Sequence, residues 1–205
     1  MTHIILVRHG QTEWNRIERF RGRADVPLNE IGLAQAEATG RRIAAEWQPT
    51  TIYSSPLSRA VRTADAIAGH FNLPVNVLPD LNDIDYGQWQ GLTPDEVRER
   101  WPIEIDAWFN APQTVCPPEG ESLSDLRIRA LKTINEIAAR HEGQTVVVVG
   151  HTVINRIILL GVLRLGNDRF WRLRQETCAI NCFEEEDGNF TLVSLNDTCH
   201  LHFGI

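Results

Sequence analysis

One arginine and two histidines lie at positions where a folded sheet would bring them together. Arg8 and His9 follow the short apolar run 4–7, and His151 directly follows a second apolar run at residues 145–150. Short, continuous runs of this kind are typical of strands buried on both faces of a parallel sheet. If these strands are parallel neighbours, both histidines lie at the carboxyl edge, where open α/β sheets bind ligands. Such a crevice favours an anion, and one histidine could act as a nucleophile.

Arg59 adds a second fixed positive charge to this predicted crevice. It follows the short predicted strand at residues 51–54, in the first turn of the next predicted helix, and so projects from the same edge of the sheet. Considered alone, Arg59 is more typical of an exposed helix residue. Together with Arg8, His9 and His151 it completes a cationic pocket, and the planar guanidinium groups match the oxygens of a phosphoryl group.

Strand and helix patterns alternate along the chain, with short connections between them. This alternation is typical of βα units, and it predicts an α/β fold: a three-layer α/β/α sandwich around a mostly parallel central sheet. We find no internal repeat, low-complexity stretch or linker, so we predict a single domain over residues 1–205. Residues 79–121 are irregular, and we predict that they form one or two short helices and cover the crevice.

Composition and charge exclude several classes of protein. The chain has 205 residues, of which 42% are hydrophobic and 23% charged, as in ordinary globular proteins. A net charge of −7 argues against non-specific binding of nucleic acid, which requires a basic surface. We see no signal peptide and no apolar stretch of the ~20 residues that span a bilayer. We therefore expect a cytoplasmic protein without nucleic acid or membrane partners, and the sequence does not indicate its oligomeric state.

The chain shows no pattern typical of metal ligands. Its four cysteines form no CxxC pair, and its seven histidines form no HxxxH or HExxH pair on a helix. His200 and His202 could share one face of a strand, but no third ligand accompanies them. We therefore expect neither a metal nor another cofactor.

A series of motifs extends over nearly the whole chain. The motifs, in chain order, are Leu6-Val7-Arg8-His9-Gly10-Gln11-Thr12-Glu13-Trp14-Asn15, Gly22, Asp25-x-Pro27-Leu28, Gly32, Gln35-Ala36, Ser54-Ser55-Pro56-Leu57-x-Arg59-Ala60-x-x-Thr63-Ala64, Gly87-x-Trp89-x-Gly91, Gly120-Glu121-Ser122 and Gly150-His151. In content and order they resemble the motifs of the histidine phosphatase superfamily, also called the phosphoglycerate mutase-like family. The resemblance implies the fold of that family and a phosphorylated small molecule as substrate.

The resemblance also implies a role for each matching residue. His9 corresponds to the nucleophile that attacks phosphorus and forms a phosphohistidine. Arg8, Arg59 and His151 correspond to the residues that surround the phosphate and stabilise the charge on its oxygens. Contacts to the substrate are further implied for Gln11, Asn15, Arg21, Gly22 and Thr152. With this much fixed positive charge, the reaction needs no metal.

The residue that protonates the leaving group departs from the commonest family pattern. Asp83 lies where many members carry glutamate, and Asp85 is the rival candidate. Aspartate is one methylene shorter, so either the backbone lies closer to the substrate or a water molecule intervenes. The offset from Gly87 favours Asp83 over Asp85.

Phosphatases and mutases of the family share this pocket, and the cover region helps to distinguish them. A mutase must exclude water and grip a second phosphate, yet this chain is compact, and we expect segment 98–121 to lack the basic residues needed to grip a second phosphate. We therefore predict a small phosphatase that hydrolyses phosphomonoesters without a metal. Phosphoryl transfer of the phosphoglycerate mutase type is the alternative. A non-catalytic module that binds phosphorylated metabolites is a third possibility, supported only by Asp83 at the position where many family members carry glutamate.

Overall fold

The computed structural model describes residues 1–201 and is built around a six-stranded sheet. The strands are β1 (Thr2–Arg8), β2 (Thr51–Ser54), β3 (Val75–Val77), β4 (Thr145–Gly150), β5 (Ile180–Glu186) and β6 (Asn189–Asp197). Their order across the sheet is β3-β2-β4-β1-β5-β6. The first four strands in this order run parallel, whereas β5 and β6 pair antiparallel at one side. The predicted mostly parallel sheet is confirmed.

Helices cover both faces of the sheet. They are α1 (Glu13–Arg16), α2 (Glu30–Glu46), α3 (Ser58–Ala68), α4 (Pro94–Arg100), α5 (Pro102–Asn110), α6 (Leu123–Arg140) and α7 (Thr152–Val162). Because successive strand residues point to opposite faces, the even-numbered apolar residues of β1 and β4 pack with α6 and α7, and the odd-numbered ones pack with α2 and α3. The three-layer α/β/α sandwich is therefore confirmed.

Local sequence signals explain several element boundaries. The Asn29 side chain accepts a hydrogen bond from the Gly32 N–H at 2.8 Å and begins α2. Ser122 and Asp125 form a reciprocal capping box that begins α6. Residues Asp187 and Gly188 join β5 to β6 with φ values of 51° and 77°, the positive values that a tight hairpin turn requires.

The segment 79–121 contains α4 and α5, as well as short 3₁₀ turns at Pro79–Leu81, Gly87–Trp89 and Pro112–Thr114. Trp89 and Trp108, which belong to this segment, are fully buried and join the core on the α6 and α7 face. The segment is thus anchored to the sandwich by aromatic packing. A further 3₁₀ helix at Asn167–Arg172 follows α7 and was not predicted.

No helix within residues 1–201 combines the length and apolar character that a membrane span requires. Over the same residues, no cluster of three or more histidine, cysteine or acidic side chains is placed to hold a metal ion. His202, considered above with His200, lies outside the described residues. The single domain over residues 1–205 stays a prediction.

Candidate active site

The pairing of β1 with β4 brings the predicted side chains to one edge of the sheet. The strands are parallel and Arg8 pairs with Gly150, so His9 and His151 leave neighbouring strands at the same level. The centroids of the two imidazole rings lie 5.1 Å apart. The juxtaposition expected from the two apolar runs is therefore present.

His9 is held as a neutral imidazole with one nitrogen free. Its Nδ1 lies 2.6 Å from the Gly10 carbonyl oxygen, which can only accept, so Nδ1 carries the proton and donates. Burial, followed by the positive charge of Arg59, holds the pKa of His9 well below its usual value of 6.5. The unprotonated Nε2 therefore has the lone pair that attack on phosphorus requires.

Arg59 links His151 to the loop that contains Gly22 and Ala24. Its Nε–H donates to Nδ1 of His151 at 3.2 Å, and its terminal nitrogens donate to the carbonyl oxygens of Gly22 at 2.8 Å and Ala24 at 2.6 Å. Because Nδ1 of His151 accepts, the proton is on Nε2, which donates to Ser55 Oγ at 2.6 Å. Burial lowers the pKa of Arg59 to about 10, so it stays a cation at neutral pH.

Gly22 is required at this turn by its backbone conformation. Its φ is +48°, and a Cβ there would lie 2.8 Å from the Ile84 carbonyl oxygen. This tight approach places the Gly22 carbonyl where it accepts from Arg59. Gly22 also lines a cleft together with Arg8 and Thr152, the chain neighbours of His9 and His151. The fully buried His9, His151 and Arg59 are not part of the lining of this cleft.

Arg8 and Arg21 add positive charge to the same cleft. The Arg8 Nη1 donates to the Gln175 carbonyl oxygen at 2.6 Å, but its buried Nε–H has no acceptor in the described part of the chain. Burial, followed by the charge of Arg21, lowers the pKa of Arg8 to about 9. An unpaired buried donor costs about 1–3 kcal/mol, and an anionic oxygen would remove that cost. The arrangement favours an anion.

The structure separates the two rival aspartates. Asp83 lines the cleft, is 4% exposed, and accepts a hydrogen bond at Oδ1 from the Ile154 N–H at 3.3 Å. Burial raises its pKa above the usual value, although Arg59 opposes the rise. Asp85 accepts from the Gly87 N–H at 2.9 Å and pairs with Arg23 at 3.2 Å, outside the cleft lining. Of the two, Asp83 is the one that lines the cleft, and burial shifts its pKa in the direction that a proton donor needs.

Arg129 of α6 fixes the backbone that carries Asp83. Its guanidinium donates to the carbonyl oxygens of Asp80, Asn82 and Asp83 at 2.8, 2.7 and 2.9 Å. The same group makes a two-point contact with the Glu121 carboxylate at 2.8 and 2.9 Å. The planar fork of arginine satisfies all of these acceptors at once, which a lysine ammonium cannot do.

The Arg129→Gln substitution is expected to lower the free energy of unfolding by about 2–3 kcal/mol, because it removes charge-assisted hydrogen bonds from a mostly buried site. It should also lower kcat/KM for alkyl phosphates more than for p-nitrophenyl phosphate, since Asp83 loses its support. Urea unfolding and steady-state assays measure the two effects. Lys132→Gln, an exposed substitution on the same helix, is the control and should change neither quantity. Equal losses for both esters would contradict a positioning role.

The remaining substrate-contacting predictions have different outcomes. Thr152 lines the cleft, and its buried Oγ1 has no partner among residues 1–201, so the hydroxyl can form a hydrogen bond to a substrate. Asn15 also lines the cleft, although its Oδ1 already accepts from the backbone N–H and the hydroxyl of Thr12 at 2.9 Å. Gln11 does not line the cleft, and its Oε1 accepts from Asn29 at 2.9 Å.

The whole cleft has a volume of about 530 Å³, and sequence reasoning missed its outer half. Its wall is formed by one arginine and several aromatic side chains: Arg156, Tyr86, Trp108, Phe109, Phe170 and Trp171. One signal for it was present, because Arg156 is the only charged residue of the otherwise apolar α7. Trp108 and Phe109 come from α5, and Phe170 and Trp171 come from the 3₁₀ helix that was not predicted. Tyr86 directly precedes the 3₁₀ turn at Gly87–Trp89.

Comparison with known proteins gives consistent findings. The model of the histidine phosphatase superfamily (branch 1) matches residues 4–198. Phosphoserine phosphatase 1 of Hydrogenobacter thermophilus is 36% identical over 98% of this chain and 95% of its own length. A 2,3-bisphosphoglycerate-dependent phosphoglycerate mutase of a Methylobacterium strain is 41% identical over 72% of this chain and 74% of its own. The solved structure of Bacillus stearothermophilus YhfR superposes with a TM-score of 0.94 at 32% identity, over 98% of this chain and 100% of that one.

Proposed function

The chain belongs to the histidine phosphatase superfamily and is a phosphomonoester hydrolase, and we propose that it acts by transferring the phosphoryl group to Nε2 of His9. This proposal rests on the tautomer and the neutral charge of the His9 ring. The Gly10 carbonyl fixes its proton on Nδ1, and burial keeps the ring neutral. The free Nε2 lies in a pocket where Arg8 and Arg59 provide fixed positive charge.

Each neighbouring group has a distinct part in the proposed mechanism. Arg8, Arg59 and His151 stabilise the negative charge on the phosphoryl oxygens as the bond to the leaving group breaks. Asp83 gives its proton to the departing alcohol oxygen, and then accepts a proton from the water that hydrolyses the phosphohistidine. Hydrolysis releases inorganic phosphate and regenerates neutral His9.

The cover segment favours hydrolysis over mutase-type transfer. A mutase must hold a phosphorylated intermediate away from water, whereas the cleft here is open to solvent along the exposed rings of Phe109 and Trp171. The segment contains two arginines, Arg98 and Arg100, but neither lines the cleft, and Arg98 pairs with Asp95 at 3.1 Å. A binding module without catalysis does not require the fixed tautomer of His9 or the raised pKa of Asp83.

We further propose that the substrate is a small phosphorylated metabolite in the cytoplasm. The names of the curated relatives support testing phosphoserine before other esters. The negative charge of the chain supports a small molecule rather than nucleic acid.

Catalysis is expected to resist chelators and to be inhibited by vanadate. Arginine and histidine side chains supply the charge stabilisation, and vanadate adopts the trigonal-bipyramidal shape of in-line transfer. Hydrolysis of p-nitrophenyl phosphate should therefore be unchanged by EDTA and should fall with micromolar to millimolar vanadate. The control is sulfate at equal ionic strength, which cannot adopt that shape. Activity lost to EDTA and restored by a divalent cation would contradict the proposal.

A further inference from the structure

Arg156 differs from Arg8, Arg21 and Arg59 in having no hydrogen-bond acceptor. Arg8, Arg21 and Arg59 each donate to at least one backbone carbonyl oxygen. For Arg156, the buried Nε–H has no partner, and no oxygen within residues 1–201 accepts from its terminal nitrogens or pairs with it as an ion. A guanidinium that faces the cleft with its donors unused is suited to bind an anion.

Aromatic side chains hold this guanidinium in place. The Arg156 Cζ lies 5.0 Å from the ring centroids of both Phe170 and Trp171, within the range of cation–π attraction. Trp171 is itself fixed, because its indole N–H donates to the Trp108 carbonyl oxygen at 2.7 Å. The stacked position restricts the side chain before any ligand arrives, so less conformational entropy is lost on binding.

The position of Arg156 relative to the phosphoryl pocket follows from α7. Thr152, which follows His151, and Arg156 lie one turn apart and both line the cleft. At 1.5 Å per residue, this spacing is about 6 Å along the helix axis. Arg156 also lies close enough to Arg8 to lower the pKa of that group, and close enough to Asp83 to feel its charge. Arg156 therefore lies in the same part of the cleft as Asp83, the residue proposed to protonate the leaving group.

From this geometry, and on the basis of the function proposed above, we propose that Arg156 binds a carboxylate on the leaving group. The preferred substrates are then phosphate esters of small hydroxy acids, in which the ester oxygen and a short carbon chain separate phosphorus from the carboxylate. Arg156 is thus a specificity-determining residue.

Phosphoserine and phosphoethanolamine provide a direct test, because they differ only in the carboxylate. The wild-type enzyme should show a kcat/KM for phosphoserine about 10- to 100-fold above that for phosphoethanolamine, as expected for a charge-assisted hydrogen-bonded pair. Arg156→Gln should remove this preference while keeping hydrolysis of phosphoethanolamine and p-nitrophenyl phosphate within about threefold. Arg156→Lys, which keeps the charge and loses the fork, should retain part of the preference.

Several outcomes would overturn the assignment. A wild-type enzyme without preference for phosphoserine, or an Arg156→Gln variant that loses all three substrates equally, contradicts carboxylate binding by Arg156. Loss of the preference in Arg174→Gln, with the preference kept in Arg156→Gln, would assign the carboxylate to the more exposed arginine of the cleft. Hydrolysis of p-nitrophenyl phosphate by the wild type separates these failures from failure of the proposed function, which would abolish that activity as well.

Discussion

His9→Ala is expected to lower kcat/KM for every phosphomonoester by about 10⁴-fold or more, because no covalent intermediate can form without Nε2. The loss should be the same for p-nitrophenyl phosphate and for alkyl phosphates, since the nucleophile is needed whatever the leaving group. Steady-state assays of phosphate release measure both. The remaining activity reflects binding and charge stabilisation by Arg8 and Arg59.

His3→Ala is the matched control for this substitution. His3 lies on the same strand, at the opposite end, and its exposed side chain contacts Glu184 at 3.1 Å. It should keep wild-type activity. Binding of inorganic phosphate, measured by thermal shift, should persist in His9→Ala if the pocket is intact. Substantial turnover by His9→Ala with phosphate binding retained would show that another group attacks phosphorus.

Asp83→Asn is expected to lower kcat/KM for phosphoserine by about 10²–10³-fold, because an alkoxide is a poor leaving group without a proton. The loss for p-nitrophenyl phosphate should be less than about tenfold, since nitrophenolate leaves without protonation. The ratio kcat/KM is the appropriate measure because it reports the steps up to release of the alcohol. It is unaffected by slow hydrolysis of the phosphoenzyme.

The pH dependence provides a second measurement on the same pair of aspartates. Burial raises the pKa of Asp83, and the acid works only when protonated, so kcat/KM for phosphoserine should fall as pH rises through that pKa. This decline should be absent in Asp83→Asn. Asp85→Asn is the control and should affect both esters alike, because Asp85 supports the Gly87 turn. Dependence on the leaving group in Asp85→Asn instead would transfer the acid role to Asp85.

The fold and the positions of Arg8, His9 and His151 at the edge of the sheet could be predicted because they depend on short-range sequence patterns. Residues 4–7 and 146–149 are apolar without interruption, which indicates strands buried on both faces. Once two such strands are parallel neighbours, the residues at their carboxyl ends must meet. The conclusion needed no knowledge of side-chain contacts.

The outer cleft could not be predicted because it depends on contacts between distant segments. Arg156, Phe170 and Trp171 come together only when the 3₁₀ helix folds back on α7, and no periodic pattern marks a helix of that length. Similarly, three of the five hydrogen bonds of Arg129 join α6 to the segment that carries Asp83, 46 to 49 residues earlier in the chain, and two join it to Glu121 just before the helix. In the sequence, Arg129 is one of several polar residues on an amphipathic helix.

The choice between Asp83 and Asp85 shows the same limit. Both carboxylates lie in one short loop, and the offset from Gly87 favoured Asp83 only by resemblance. The two carboxylates acquire different surroundings only in the folded chain. There Arg23 pairs with Asp85, and burial raises the pKa of Asp83. Partners that are remote in sequence therefore distinguish the two neighbouring acids.

The most direct test of the account is to identify the phosphorylated residue. Asp83→Asn mixed with p-nitrophenyl phosphate should accumulate the phosphoenzyme, because the first step needs no acid while hydrolysis lacks its base. Rapid alkaline quenching followed by peptide mass spectrometry should locate an acid-labile, base-stable phosphate on His9, at near-stoichiometric amounts. The same experiment with the Asp83→Asn, His9→Ala double variant should give no adduct. Phosphate found on a serine, an aspartate or another histidine would contradict the central claim that His9 is the nucleophile.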